Sequence, residues 1–317
     1  MSDLRVLFAT DFHGAEICFR KLLNFAPRAK ADVIVLGGDL CGKALVPLVR
    51  RNGAFAGEFL GEPFVAHDEG EAQEIEKRIR FNGFYPLRCD PEELAVLAED
   101  KVRRDEVMER EMVRTVERWL TLAEERLADT TTVCVSLPGN DDEVGIDVAL
   151  NHCKRIPNSD GRLLEFGELQ IVGFGASNPT PWNSPREFSE EEIERRLRAS
   201  VVGVDPDRPL IANIHVPPYR STLDDAPLVQ DDLRPVMKGG NPVVGPVGSH
   251  AVRAFLEDVQ PWLSLHGHIH ESRHATKIGR TVAINPGSDY ASGTLQAVIV
   301  TIDERKKRVK GHQFISG

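Results

Sequence analysis

The sequence predicts an α/β protein built on two mixed β-sheets with helices outside them. Three observations predict it. Short apolar runs recur along the chain, several nearly continuous in Val, Ile and Leu, as in strands covered on both faces. Helical patterns fall between the early runs, and strands dominate the C-terminal part, which favours two sheets over one doubly wound sheet. Five of the runs end in Asp, Asn or His.

The elements follow in order. Val6–Ala9 reads as the first strand and Ala15–Phe25 as the helix after it. Further strands are expected at Val33–Leu36, Val133–Leu137, Leu169–Val172, Leu210–Ile214, Trp262–Leu265, Val282–Ile284 and Leu295–Thr301. The longest helical signal is Pro91–Ala128. Asp90 suits its cap, Pro91 its first turn, and Glu93 a capping-box-like start. Leu94, Leu97, Val102, Met108, Met112, Val116, Leu120, Ala123 and Leu127 make one apolar stripe at three-to-four spacing. Unbroken, it would reach roughly 57 Å at 1.5 Å per residue, so a bend, a helix pair or a protruding arm is expected. Asn52–Pro86, rich in Gly, Phe and charge, reads as an insertion. The chain is thus read as a single domain over 1–317 with a mostly helical insertion at 50–128. The insertion is expected either to cap the active site or to make a homo-oligomer contact. The basic run Arg305–Lys310 reads as a solvated edge strand or turn.

Composition narrows the function. The chain has 317 residues, a net charge of -10 and a pI near 5.5. An acidic surface repels a phosphate backbone, so neither a nucleic-acid polymer nor a membrane is expected as partner. A small phosphorylated substrate remains compatible, because bound cations reverse the sign inside a pocket. Cys18, Cys41, Cys89, Cys134 and Cys153 are scattered and form no C-x-x-C pair. They read as reduced thiols of a cytoplasmic protein. No apolar run is long enough to span a membrane, and MSDLRVLFATDFHG has no secretory signature.

The chemistry lies at the strand ends. VLFAT runs into Asp11-Phe12-His13, IVLGG into Asp39, VCVSLPG into Asn140-Asp141-Asp142, LIANI into His215, and WLSLHG into His268-Ile269-His270. In an α/β sheet such ends meet in one crevice. Imidazole and carboxylate together are ligands for Mn, Fe, Zn, Ni or Co. In extended or turn backbone, D-x-H and H-x-H place residues two apart on the same side. Alone, D-x-H is more often a cap or turn and G-G-D a turn, while G-H-I-H is sharper, because an H-x-H pair is rarely spent on a core. The ordered set of five is what carries the signal.

Residues 37–44, GGDLCGKA, nearly spell the P-loop pattern G-x-x-x-x-G-K-[ST]. A P-loop turns backbone N–H groups to phosphate and needs a hydroxyl for magnesium. Here Asp39 places a carboxylate inside the loop and Ala44 removes the hydroxyl. The loop's chemistry belongs to Asp39, which disfavours a nucleotide-binding P-loop. Lys43 reads as a surface lysine, with substrate phosphate as its alternative contact.

Taken together, D-x-H, G-D, G-N-D, H and G-H-I-H resemble the signature of the calcineurin-like metallophosphoesterases. HVPPYRSTLDD, GSHAVRAFLE and INPGS resemble a bacterial and archaeal branch. The resemblance implies a four-layer αββα sandwich with two divalent metal ions between the sheets, Mn foremost, with Fe, Zn, Ni or Co as alternatives. It implies that Asp11, His13 and His270 bind one ion, that Asn140, His215 and His268 bind the other, and that Asp39 bridges them. It further implies a phosphoesterase in which a metal-bridging hydroxide attacks phosphorus in line, with Asp39, Asn140 and Asp141 in catalytic roles. A catalytically weak metal-binding scaffold is the alternative.

One position departs from the family pattern. Most members have His after the motif's Asn, where it serves the leaving group. Here Asp141 stands, and a carboxylate beside two dications stays ionised and donates poorly. Diesters or good leaving groups are therefore expected as substrates. His67 and His250 are the candidates to supply the missing proton. Asn178 and His250 join Lys43 as candidate substrate contacts. His266 reads as packed, and His152, His274 and His312 as surface or structural.

Overall fold

The computed structural model describes residues 3–230 and 232–317. In chain order the strands are β1 (Leu4–Ala9), β2 (Val33–Leu36), β3 (Leu45–Arg51), β4 (Ala54–Phe59), β5 (Glu62–Ala66), β6 (Tyr85–Cys89), β7 (Val133–Val135), β8 (Leu163–Phe166) and β9 (Leu169–Phe174). They continue as β10 (Leu210–Ile214), β11 (Asp225–Pro227), β12 (Met237–Lys238), β13 (Asn241–Pro242), β14 (Val244–Pro246), β15 (Leu263–Leu265), β16 (His274–Ile278), β17 (Thr281–Asn285), β18 (Gln296–Asp303) and β19 (Arg308–Ser316). The helices are α1 (Glu16–Ala29), α2 (Glu69–Phe81), α3 (Pro91–Glu99), α4 (Lys101–Leu127), α5 (Ile146–His152), α6 (Glu190–Ser200) and α7 (His250–Val259).

Two mixed sheets form the centre, as the strand pattern predicts. The first has the order β19-β18-β1-β2-β7. Its β1, β2 and β7 are parallel, with Leu7 opposite Ile34 and Ile34 opposite Cys134. β18 and β19 add antiparallel neighbours, and the basic run 305–310 forms the turn into the edge strand β19. The second sheet has the order β16-β17-β15-β10-β9-β8. Its four inner strands are parallel, and both edges are antiparallel.

Alternation along each strand decides what packs where. Val6, Phe8, Val33, Val35 and Val135 of the first sheet share one buried cluster with Ile171, Ile211, Leu263, Leu265 and Ile284 of the second. The intervening residues Leu7, Ala9, Ile34 and Leu36 face outward instead. They pack with Phe19 and Leu22 of α1, Trp119 and Ala123 of α4, and Leu150 of α5. On the far side of the second sheet, Val172, Phe174, Ala212 and Ile214 meet Ile193 and Leu197 of α6 and Val252, Phe255 and Leu256 of α7. All five cysteines are free thiols.

The segment 50–128 contains α2, α3 and α4, and also strands that composition did not reveal. β3 to β6 form a third sheet in the order β5-β4-β3-β6. It has its own core of Val46, Leu48, Phe55, Phe59, Phe64, Ala66, Ala72 and Ile79. Its hairpins turn at Asn52-Gly53 and Leu60-Gly61, all four residues at positive φ, as two-residue hairpins require. The long helical signal divides at Asp100, which is extended at φ -97° and ψ 99°. Its side chain accepts from the Arg103 N–H at 3.0 Å and so caps α4, as Asp90 caps α3 through Glu93 at 2.8 Å. The stripe residues Met112, Val116, Leu120, Ala123 and Leu127 are buried in the cluster shared with α1 and α5. Val102 of the same stripe is exposed.

Candidate metal centre

The parallel strands bring the predicted ligands to one edge. Asp11 and His13 follow β1, Asp39 follows β2, Asn140 follows β7, His215 follows β10, and His268 and His270 follow β15. Backbone bonds lock these loops to one another. The Asp11 N–H donates to Gly38 O at 3.0 Å, the His13 N–H to Asp39 O at 2.9 Å, and the Gly267 N–H to His215 O at 2.9 Å. Between Asp11 and His13, Phe12 lies edge-on to Phe19 and Trp119 in the helical layer.

Four of the predicted ligand residues hold the left-handed backbone conformation that side chains rarely adopt: Asp11 (φ 54°), His13 (φ 41°), Asp39 (φ 48°) and His268 (φ 68°). Such strain costs on the order of 1–3 kcal/mol per residue and gathers where function demands it. Gly38 (φ 101°) tolerates the same region freely, and a Cβ there would lie 2.8 Å from His215 Nδ1.

The side chains then converge. His13 Nε2 lies 3.1 Å from His270 Nε2 and 3.6 Å from Asp39 Oδ2. His270 Nε2 lies 3.6 Å from Asp11 Oδ1. His215 Nε2 lies 3.4 Å from Asp39 Oδ2, 3.9 Å from Asp11 Oδ1 and 3.0 Å from Asn140 Oδ1. His268 Nδ1 lies 2.7 Å from the same Asn140 oxygen. The Asn140 amide is oriented from outside, because its Nδ2 donates to Ser184 Oγ at 2.8 Å and to Asp141 Oδ1 at 3.0 Å. His215 Nδ1 donates to Gly37 O at 2.8 Å, which turns its Nε2 inward. Asp11, His13 and His270 can chelate one ion, and Asp11, Asp39 and His215 another. Protons on His215 and His270 offset the buried carboxylates here, and a divalent cation is the chemistry that can take their place.

Burial and neighbouring carboxylates divide the site histidines, leaving His13 and His268 neutral and raising His215 and His270. Burial lowers His13 to a pKa of about 3, with the His270 charge acting in the same direction. Burial likewise lowers His268 to about 3, again with a neighbouring imidazolium, here His215. Both rings are therefore neutral and ready to ligate. Burial pushes Asp11 up, but the His270 hydrogen bond and the surrounding imidazoles hold it well below the carboxylate range. Asp39 and His215 are a coupled buried pair. Burial opposes the cation on His215, while Asp39 and Asp11 favour it more strongly and raise its pKa. Burial raises Asp39 against the pull of His215.

The remaining candidates divide. Lys43 stands at the rim in an ion pair with Asp141. Asp141 is also within chelating reach of His13 and Asp39, and its N–H donates to Asp39 Oδ1 at 2.9 Å. Asn178 donates to Val247 O at 3.2 Å. His250 lies against the Tyr219 ring at 3.9 Å on the first turn of α7. His67 is exposed at the end of β5. Among the described residues none of these three bonds to a metal-site side chain. His266 is a packed histidine, bonded to Ser264 Oγ at 2.8 Å and Ile214 O at 2.9 Å.

Sequence reasoning missed the supports. Asp142 accepts from Leu40, Cys41 and Gly139 N–H groups. Arg186 donates to Asp142 O at 2.7 Å, and Ser288 Oγ to Asp11 O at 2.7 Å. Tyr290 places its ring 4.6 Å from that of His13. The stretch INPGS was a signal for Ser288, whereas the spacing of Tyr290 gave none.

No family model matches the chain. The Methanocaldococcus jannaschii protein MJ1162, itself uncharacterised, is 33% identical over 187 residues, which cover 56% of this chain and 77% of that one. The chain belongs to one family with MJ1162. The crystal structure of TT1561 from Thermus thermophilus matches with a TM-score of 0.54 at 14% identity, over 100% of this chain and 99% of that one. A dimetal phosphatase from Danio rerio matches with a TM-score of 0.46 at 10% identity, over 99% of this chain and 98% of that one. Among the described residues no helix is long and apolar enough to cross a membrane.

Proposed function

We propose that this chain is a dinuclear, metal-dependent phosphoesterase acting on a small phosphorylated substrate, a phosphodiester by preference, on an αββα frame. The observation that carries the proposal is the convergence of metal-ligating side chains at one set of strand ends, with His13 Nε2 3.1 Å from His270 Nε2 beside buried Asp11 and Asp39. Asp11, His13 and His270 would hold one ion and Asn140, His215 and His268 the other, with Asp39 available to both. The mixed N/O donor set accepts Mn, Fe, Zn, Ni or Co, and Mn is the ion taken for the test. Two divalent ions at such a site supply Lewis-acid charge stabilisation and a lowered water pKa.

The chain's own residues fix the geometry. Gly37 O sets the His215 tautomer, and Ser184 sets the Asn140 amide. The strained backbone at Asp11, His13, Asp39 and His268 is preorganisation imposed by folding, so no rearrangement is needed at the moment of reaction. The reduced cysteines and acidic surface suit a cytoplasmic protein without a polymeric partner.

The test is hydrolysis of bis-p-nitrophenyl phosphate by metal-stripped protein with Mn²⁺ added back, alongside Asp39→Asn. Metal-dependent turnover that the substitution abolishes supports the proposal. A second reading, a metal-bound scaffold without turnover, draws on the Lys43–Asp141 pair, which occupies the place where relatives carry a proton donor. Two bound ions without hydrolysis of any ester would select it.

A further inference from the structure

The insertion and the metal centre meet at one residue. Lys43 sits between Gly42, whose N–H donates to Tyr85 Oη at 2.6 Å, and Ala44, whose O accepts from the Tyr85 N–H at 3.0 Å. One residue of β6 therefore grips the backbone on both sides of Lys43. Behind it, Gly42 is pressed so closely on Gly83 O that a Cβ has no room. The clamp aims the ammonium at Asp141, whose side chain is 21% exposed, while the lysine side chain remains 56% exposed to solvent. The lysine charge also reaches His13, Asp39 and Tyr290. An anion entering from solvent would meet this ammonium at the lip of the crevice.

We propose that Lys43 is the specificity-determining cation of the site, pairing with the oxyanion of the departing group and so selecting esters whose leaving group departs without an enzyme proton. This rests on the phosphoesterase reading above. Among the described residues neither His67 nor His250 bonds to a candidate ligand side chain, and the residue paired with Asp141 is Lys43. In the assigned step a water-derived oxygen forms the new bond to phosphorus. The bond to the leaving oxygen breaks with its electron pair remaining there, and the oxyanion departs beside the ammonium. The attacking water's proton goes to solvent, and the oxyanion later takes a proton from solvent as its own basicity dictates. Asp141 holds the lysine in place and offsets its charge in the resting site.

The experiment uses the Mn²⁺-loaded full chain and a series of methyl aryl phosphates whose phenols span a range of acidity. Wild type is compared with Lys43→Met, Lys43→Arg, Asp141→Asn and the Lys43→Met/Asp141→Asn double variant. Metal content is measured for each, should remain at the wild-type value in both Lys43 single variants, and normalises the rates of the variants that change Asp141, which lies within chelating reach of His13 and Asp39. Lys43→Met should lose about 3-fold or less in kcat with nitrophenol as leaving group and about 100-fold with unsubstituted phenol, the scale of one lost charge-stabilising group. Lys43→Arg should restore most of the loss, and the double variant should not. A loss equal across the series, or recovery in the double variant, would mean that the lysine only neutralises Asp141, and the proposal would fall. Wild-type protein inert towards every ester while binding two ions would instead remove the phosphoesterase reading itself, and this assignment with it.

Discussion

Asp142 Oδ2 accepts a hydrogen bond from the Leu40 N–H at 3.0 Å, joining the loop after β2 to the loop after β7 across 102 residues of sequence. The same carboxylate takes the Cys41 N–H at 2.8 Å and the Gly139 N–H at 2.8 Å. Three buried N–H groups thus depend on one side chain that touches no metal ligand side chain. The bond holds Asp39 and Asn140 in register, since each lies next to a donor. Asp142→Ala would leave the three donors unpaired, at about 1–3 kcal/mol for each buried group. We expect a lower thermal midpoint and metal affinity reduced about 10–100-fold. Calorimetric unfolding and metal titration check both, and unchanged affinity would show that the loops hold their register unaided.

Gly267 is required for space. A Cβ at this position would lie 2.5 Å from Asp11 Oδ2 and closer still to Thr10 Oγ1. The carboxylate also accepts the His268 N–H at 3.0 Å. Gly267→Ala should therefore displace a ligand rather than unfold the chain. The expected result is loss of the ion that Asp11, His13 and His270 would hold, with metal content falling below that of wild type. Full occupancy of both positions would show that the loop yields to a methyl group.

Tyr85 links the insertion to the centre through the Gly42 N–H. Tyr85→Phe would strand that buried donor, at about 1–3 kcal/mol. Its other bond, from the Tyr85 N–H to Ala44 O, is backbone and survives. Stability should fall modestly, and metal content should remain at the wild-type level because Lys43 is not a ligand. An unchanged denaturation midpoint would mean that the Gly42 N–H finds another partner.

The parts legible in sequence share a cause. Every strand of the two central sheets that carries a ligand is a near-continuous apolar run, and each run stops at a residue whose chemistry is unmistakable in company. Covered strands advertise themselves in this way. The insertion sheet does not, because β4 and β5 interleave Phe59 and Phe64 with Glu58 and Glu62 over a small core of their own. The Asn52-Gly53 hairpin signal was present and lay unused. Asp142 escaped because its partners are backbone N–H groups, which no side-chain motif records. Lys43 and Asp141 were each visible, but a pairing across 98 positions requires the fold to bring the two loops together.

Asp160 allows a test by pH, away from the metal centre. Burial raises its pKa, opposed by the Gly175 N–H, which it accepts at 2.8 Å, and by Arg186. Asp147 adds repulsion in the raising direction. A carboxyl whose folded pKa exceeds its unfolded one binds protons more tightly when folded. Its contribution to stability is therefore complete below the unfolded pKa of 3.8 and is lost as pH rises through the folded value. At neutral pH the protein carries a buried carboxylate at a cost. Asp160→Asn keeps an oxygen for the Gly175 N–H and removes the charge, so the variant should unfold at a higher temperature than wild type at pH 7.5. The advantage should shrink as pH falls towards 4, where the native carboxyl gains its proton. Thermal midpoints of both proteins across that range decide the matter, and a variant less stable at pH 7.5 would show that the Arg186 attraction outweighs desolvation.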